Sequence, residues 1–227
     1  MLRKLVFLAV CGAVLSATEP SRLPVLVELF TSEGCSSCPP ADRILEQLDP
    51  QVVVLSEHVD YWDRLGWKDR FSSHSVTQRQ EDYARLLHLD GPYTPQMVVD
   101  GTTEFNGSDG ARARQVLTAE AQRPRAAVHI ARTAAGLQVD VSGAFHSAGV
   151  YLAIADNSAE SQVGAGENHG RLLHHVAILR TLRKLGSVKK GGAFSQVVEA
   201  PGPAQRAVVF VQEPDLGAIE GAAVWVP

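Results

Sequence analysis

Two cysteines separated by two serines, Cys35-Ser36-Ser37-Cys38, are the residues in this chain best suited to chemistry. Two thiols so spaced fall within one tight turn, so they can pass between dithiol and disulfide with little movement of the chain. If the turn opens a helix, backbone N–H groups and the positive end of the helix dipole stabilise the thiolate, which is the nucleophilic form. In such motifs the thiol pKa falls from about 8.5 to roughly 3.5–7.5. The chemistry implied is thiol–disulfide exchange. A purely structural disulfide would close too small a loop to constrain the unfolded chain much. A zinc site would need about four ligands, and no second cysteine pair is present. Copper(I), which suits soft thiolates, is the alternative, with Cys35, Cys38 and His58 as ligands.

The elements around the pair are legible from periodicity. Val25 to Phe30 is a continuous apolar run, the pattern of a buried strand, and leads straight into Thr31-Ser32-Glu33-Gly34-Cys35. After Pro39-Pro40, Ile44, Leu45 and Leu48 recur at helical spacing as far as Asp49-Pro50. That helix either begins at Cys35 and kinks at the prolines, or begins at Pro39 with the serines in a preceding turn. Val52 to Leu55, extendable to Val59, is a second buried strand, and a parallel strand–helix–strand unit makes a right-handed crossover. A polar, aromatic loop from Asp60 to Ser75 precedes a helix through Tyr83, Leu86 and Leu87. Gln96 to Val99 and Thr102 to Phe105 form a hairpin turning at Asp100-Gly101. Ser108 or Asp109 caps a last helix, Ala111 to Ala121.

From Ala126 the texture changes to short alternating or apolar runs punctuated by glycine, an all-β pattern. Leu172 to Leu185 fits either period and is assigned as strand from its neighbours. The expected fold is therefore α/β over residues 24–122, followed by a smaller β-rich domain over 126–227. Acidic residues outnumber basic ones 17 to 9 from Thr18 to Gln122, but only 8 face 10 from Arg123 onward, which also separates the two parts.

Arg3 and Lys4 precede an apolar run from Leu5 to Leu15 ending in Ser16 and Ala17, the pattern of a signal peptide over residues 1–17. Its cleavage would export the protein, to the periplasm or beyond, and remove Cys11, leaving Cys35 and Cys38 as the only cysteines. It would also move the net charge from −4 to −6. That is no nucleic-acid footprint, and no later stretch reaches the roughly 20 apolar residues of a membrane helix.

The order strand, cysteine turn, helix, with Thr94-Pro95 before an apolar strand, resembles thioredoxin from Pro24 to about Gln122. The run from Val27 to Asp42, VELFTSEGCSSCPPAD, resembles a narrower secreted family, domain of unknown function 1223. So do His58-Val59-Asp60-Tyr61-Trp62-Asp63, Tyr93-Thr94-Pro95-Gln96-Met97-Val98-Val99, Gly166-Glu167-Asn168 and Gly170-Arg171. The resemblance implies a thioredoxin-like fold in which Cys35 attacks and Cys38 resolves. Pro95 would be a cis-proline facing the cysteines, with the Thr94 backbone pairing to an extended substrate. Glu28 would stand near the buried acid that deprotonates the resolving cysteine, although its spacing to Cys35 is one residue longer than in thioredoxin. A solvated position at a sheet edge is the alternative for Glu28. The aromatic that usually precedes the first cysteine is replaced here by Gly34.

His58, Asp60, Tyr61 and Trp62 follow the second parallel strand, where such sheets hold their sites, and are candidates to line the cleft or cap the core. Gly164-Ala165-Gly166 reads as a plain loop, and His169, His174 and His175, which could bind a metal, read rather as surface histidines. Arg180, Arg183, Lys184, Lys189 and Lys190 read as a solvated face. The function expected is exported dithiol–disulfide exchange with a protein or small-thiol partner, needing no cofactor beyond the Cys35–Cys38 disulfide and no metal. A redox-inactive thioredoxin-fold binding module is a further alternative.

Overall fold

The computed structural model describes residues 22–227; the signal-peptide segment expected at 1–17 lies outside the described residues. Strand β1 (Leu23–Thr31) shows why its run is apolar throughout. Val25, Val27 and Leu29 point to one face of the sheet, while Leu26 and Phe30 point to the other, and both faces are covered. Helix α1 (Pro39–Leu48) crosses over to β2 (Val52–His58), which pairs with β1 in parallel. Of the two possible starts for α1, the structure has the later one. Cys38 is the N-cap and the prolines fill the first turn, where a missing N–H costs nothing.

Helix α2 (His74–Leu86) covers the opposite face, its N-terminus capped by the Ser73 hydroxyl accepting from the Val76 N–H. Strands β3 (Gln96–Val99) and β4 (Thr103–Asn106) form the hairpin beyond β1. Helix α3 (Gly110–Glu120) is capped by Asp109, whose carboxylate accepts the Arg112 N–H at 2.9 Å.

Seven strands follow: β5 (Ala127–Thr133), β6 (Gly136–Ser142), β7 (Ala148–Gln162), β8 (Leu172–Val188), β9 (Ala193–Val198), β10 (Gln205–Gln212) and β11 (Ile219–Trp225). The sheet does not stop at the composition boundary near residue 126. Its eight strands run in the order β11-β10-β7-β8-β2-β1-β3-β4, with β8 meeting β2 in parallel at Ser56 and Ile178. Strands β5, β6 and β9 form a separate three-stranded sheet. Its Leu137, Val139 and Val141 close a core against Val150, Leu152, Val209 and Val211. The result is a mixed α/β fold dominated by one large sheet.

The hydrophobic cores ignore the boundary as well. Leu26, Phe30 and Tyr83 from the first part pack with Val208, Phe210, Ile219 and Ala222 from the second. Arg206 reaches Asp49 at the end of α1 at 2.6 Å. Among the described residues, no helix is long and apolar enough to cross a membrane.

A chain comprising residues 22–125 alone would leave the β2 edge unpaired and Leu26, Phe30 and Tyr83 half uncovered. It should therefore lack a cooperative urea transition and a dispersed amide NMR spectrum. Cooperative unfolding of that fragment would show that the shared core is dispensable.

Candidate active site around the Cys35–Cys38 disulfide

Cys35 and Cys38 form a disulfide with their Cα atoms 5.4 Å apart. Both residues are 0% exposed, and the two serines between them carry the exposed tip of the turn. Neither sulfur is thus the more exposed of the two in the disulfide. The helix starts after Cys38, whose carbonyl accepts the N–H groups of Ala41 and Asp42 at 2.8 and 3.1 Å.

The turn is held by residues more than 130 positions away. Strands β7 and β8 form a long hairpin whose connecting loop, residues 163–171, folds onto it. The Asn168 side-chain amide, fully buried, donates to the carbonyls of both Glu33 and Cys35 at 2.9 Å, while Arg171 donates to its oxygen at 2.8 Å. Glu167 accepts the Ser36 N–H at 3.1 Å. Hydrogen bonds from Ser36, hydroxyl first and amide second, hold the Glu167 carboxyl below its usual range. The glycines of this loop are a packing requirement. A Cβ on Gly164 would lie 3.0 Å from the Trp67 ring, and Gly166, at φ +74°, would bring one within 3.2 Å of Trp67 Cβ. Trp67 in turn donates its indole N–H to Glu33 at 2.7 Å.

On the other side of the turn, Trp62 lies against Gly34, where an added Cβ would stand 3.1 Å from its own. Its indole N–H donates to the Thr94 hydroxyl at 2.8 Å. The Thr94–Pro95 peptide bond is cis. The Pro95 carbonyl accepts the Gly107 N–H at 3.0 Å, and Gly107 fits between Leu29, Ala41 and Pro95 only because it has no side chain. The Ser108 hydroxyl reaches the Ser37 carbonyl at 3.4 Å. The Thr94–Pro95 loop, the start of α1 and the cysteine turn are thus joined through Gly107 and Ser108. Asp60 and Tyr61 serve α2 instead: Asp60 exchanges hydrogen bonds with Thr77, and the Tyr61 hydroxyl donates to Gln80. Burial pushes the Tyr61 hydroxyl up to about 12.

Glu28 is buried, which removes the solvated-edge alternative, but it does not face the cysteines. Its carboxylate accepts from Arg79 Nε and the Tyr83 hydroxyl, both at 2.7 Å, on the α2 side of the sheet. The reason is the period of two along a strand. The extra residue between Glu28 and Cys35 turns the side chain to the face opposite α1. Glu57, on the adjacent strand β2 and on that same face, is fully buried and lies 3.8 Å from Arg79. Burial, then the neighbouring Glu28 charge, raise the Glu57 carboxyl well above its usual range.

The acids and histidines on the α1 face form a cluster of which the sequence singled out only His58 as a site candidate. His58 Nδ1 lies 2.7 Å from Asp69, which also accepts the N–H groups of Glu33 and Phe71 at 2.9 Å. Burial alone would raise Asp69, but His58 and these amides bring it down to about 2. Burial alone would lower His58, but Asp69 foremost, then Asp42 and Glu33, hold it above its ordinary value. His175 is not a surface histidine. On β8 His174 points outward and His175 inward, its ring 4.7 Å from that of His58. Its Nε2 stands 3.7 Å from Glu33 and its Nδ1 3.8 Å from Asp42, ion-pair distances too long for full hydrogen bonds. Burial would raise Glu33, but contacts with His175, Ser161 and Trp67 hold it below its usual value. Asp42 accepts the Thr31 hydroxyl at 2.9 Å. Only the placement of Glu33 and Asp42 beside the cysteines could have pointed to this cluster, since His58, Asp69 and His175 are joined by folding alone.

Among the described residues, His146, Glu213 and Glu220 also approach one another closely enough to hold a metal ion. Their geometry already has a structural account: His146 Nδ1 lies 2.8 and 2.9 Å from the two carboxylates, and Glu220 accepts the N–H groups of Phe145 and His146.

Residues 26–212 match the family described as protein of unknown function (DUF1223), a span holding the disulfide, the clamp and the buried cluster. The chain belongs to this family. It is similar to the crystal structure of protein AGR_C_4864 from Agrobacterium tumefaciens, a structural-genomics target, with 28% identity and a TM-score of 0.78 over 91% of this chain and 96% of that one. HBP35 of Porphyromonas gingivalis is similar in fold, with a TM-score of 0.56 at 14% identity over 91% of this chain and 76% of that one. No curated protein matches the chain.

The His58–Asp69 pair sets a pH window for stability. Asp69, lowered in the fold, contributes above its unfolded value of about 3.9, and the contribution is lost as pH falls towards about 2. His58, raised in the fold, contributes below its unfolded value of about 6.5, and the contribution is lost as pH rises through the folded value. Asp69→Asn should therefore cost about 3 kcal/mol between roughly pH 4 and 6.5, the cost of breaking a buried pair, and distinctly less at pH 2. Urea unfolding of both proteins across this range measures it; equal stability at pH 5 would refute the assignment.

Proposed function

We propose that this protein is an exported thiol–disulfide oxidoreductase with a thioredoxin-like catalytic unit, exchanging disulfides with a protein partner. The observation that carries the proposal is the Cys35–Cys38 disulfide at the junction of β1 and α1, joined to the cis Thr94–Pro95 loop through Gly107 and Ser108. A two-residue spacer closes the bridge within one turn, so oxidation and reduction need little backbone change. The order β1, α1, β2, then the β3–β4 hairpin and α3, with Thr94–Pro95 entering β3, supports the thioredoxin-like assignment. Trp62 packs through its Cβ on Gly34 and reaches Thr94 with its indole, so an aromatic from a different loop links the cysteine turn to the Thr94–Pro95 loop.

In this mechanism Cys35 attacks a substrate disulfide and forms a mixed disulfide, and Cys38 attacks Cys35 to release the reduced substrate. In this reading the substrate docks on the side of the exposed Ser36–Ser37 tip, and an extended segment of it pairs with the Thr94 backbone. Signal-peptide cleavage would leave this pair with no competing thiol, in a compartment where disulfides persist.

Cys38→Ser removes the resolving thiol and keeps the nucleophile, so partners attacked by Cys35 should stay attached. Non-reducing gels from the native host should show higher bands that vanish with reductant, while Cys35→Ser shows few or none. Clean monomers from both mutants, with copper copurifying with the wild type, would instead favour a metal-binding role.

A further inference from the structure

The geometry points to Asp42 as the acid–base residue of the resolving cysteine, exchanging the Cys38 proton with solvent through the cleft between α1 and β8. This rests on the exchange reading above and names a residue for its second step. Cys38 is the N-cap of α1 and Asp42 lies four residues on, its N–H bonded to the Cys38 carbonyl at 3.1 Å. Residues so spaced share one face of a helix, with Cβ atoms about 5–6 Å apart. Cys38 is 0% exposed and Asp42 6%, so the thiol has little water of its own to take its proton. Glu28, on the far face of the sheet, cannot serve.

Asp42 also has a way out. It lines a surface cleft of about 300 Å³ together with Pro39, Arg43, Glu46, Arg171 and His174. Asp42 thus shares a face of α1 with the buried Cys38 and also opens onto solvent. Its orientation is set by the Thr31 hydroxyl on Oδ1 and by His175 facing Oδ2. The groups that bear on its charge are Thr31 on β1, His58 on β2, Asp69 in the loop after β2 and His175 on β8. Burial raises the Asp42 carboxyl; His175, His58 and Thr31 pull it back, and the net direction is upward, towards the range where it can both take and release a proton.

The step balances as follows in atoms and electrons. In the mixed disulfide the Cys38 thiol gives its proton to Asp42 and the thiolate attacks Cys35 Sγ. The Cys35–Cys38 bond forms, the bond from Cys35 to the substrate sulfur breaks, and the electron pair leaves on that sulfur, which takes a proton from solvent. Asp42 releases its proton through the cleft. Two protein thiols are oxidised and one substrate disulfide is reduced, the substrate disulfide being the oxidant.

Stopped-flow reaction of the reduced, full-length mature protein with 5,5′-dithiobis(2-nitrobenzoate) separates the two steps, since one coloured thiolate leaves on attack by Cys35 and a second on attack by Cys38. Asp42→Asn should leave the first phase within about twofold of wild type. The second should slow roughly 10²-fold at pH 7, and its pH profile should lose the inflection due to Asp42. Thr31→Val, which removes the hydroxyl favouring the carboxylate, should move that inflection upward, and it decides the matter if Asp42→Asn does not fold. A second phase unchanged in rate and pH profile in Asp42→Asn, or an unmoved inflection in Thr31→Val, would overturn the role of Asp42 while leaving the exchange reading intact. A wild type that releases no thiolate in either phase would overturn both.

Discussion

His58 and Asp69 are taken wholly out of water at the end of β2, and the architecture around the disulfide is arranged to satisfy Asp69, while His58 is held through Nδ1 alone. Desolvating such a pair costs several kcal/mol per ion unless geometry and further hydrogen bonds offset it. Here the offset comes from the Asp69 contacts, and one of its donors is the Glu33 N–H, two residues before Cys35. The position of the cysteine turn is therefore coupled to the charge pair beneath it. Glu33 extends the coupling outward, through Trp67 to the glycine-rich loop and towards His175 on β8.

The two faces of the β1–β2 pair carry separate buried ionic groups. On the α1 face Glu33, Asp42, His58, Asp69 and His175 lie behind the disulfide. On the α2 face Glu28, Glu57 and Arg79 are joined by Tyr83 and by Gln212 from β10. Alternation along β1 and β2 assigns each residue to one group or the other: Thr31 and His58 face α1, Glu28 and Glu57 face α2. A low-dielectric interior makes unpaired charges costly, and each group includes residues from distant segments, His175 from β8 and Gln212 from β10, strands that belong to the same sheet as β1 and β2.

The long hairpin also makes the site composite. Asn168 fixes two carbonyls of the cysteine turn and Glu167 occupies the Ser36 N–H, so the loop between β7 and β8 is part of the cysteine turn's own scaffold. The residues read as a plain loop acquire their meaning from Trp67, against which the glycines pack.

Local pattern was enough to read the strand of β1, the helix after the prolines, the β3–β4 hairpin and the cysteine spacing, because each depends on contacts within a few residues along the chain. It also marked the change of texture near residue 126. What it could not decide was which partners the polar residues would meet. Whether Glu28 looks towards the cysteines turns on a single residue of strand register, and whether His175 is solvated turns on β8 being an interior strand beneath α1. Asn168 and Asp69 become site residues through contacts spanning 11 to 135 positions. Periodicity carries information about which face a side chain occupies within its own element; burying charge couples elements far apart in sequence, and only the folded chain shows which ones answer.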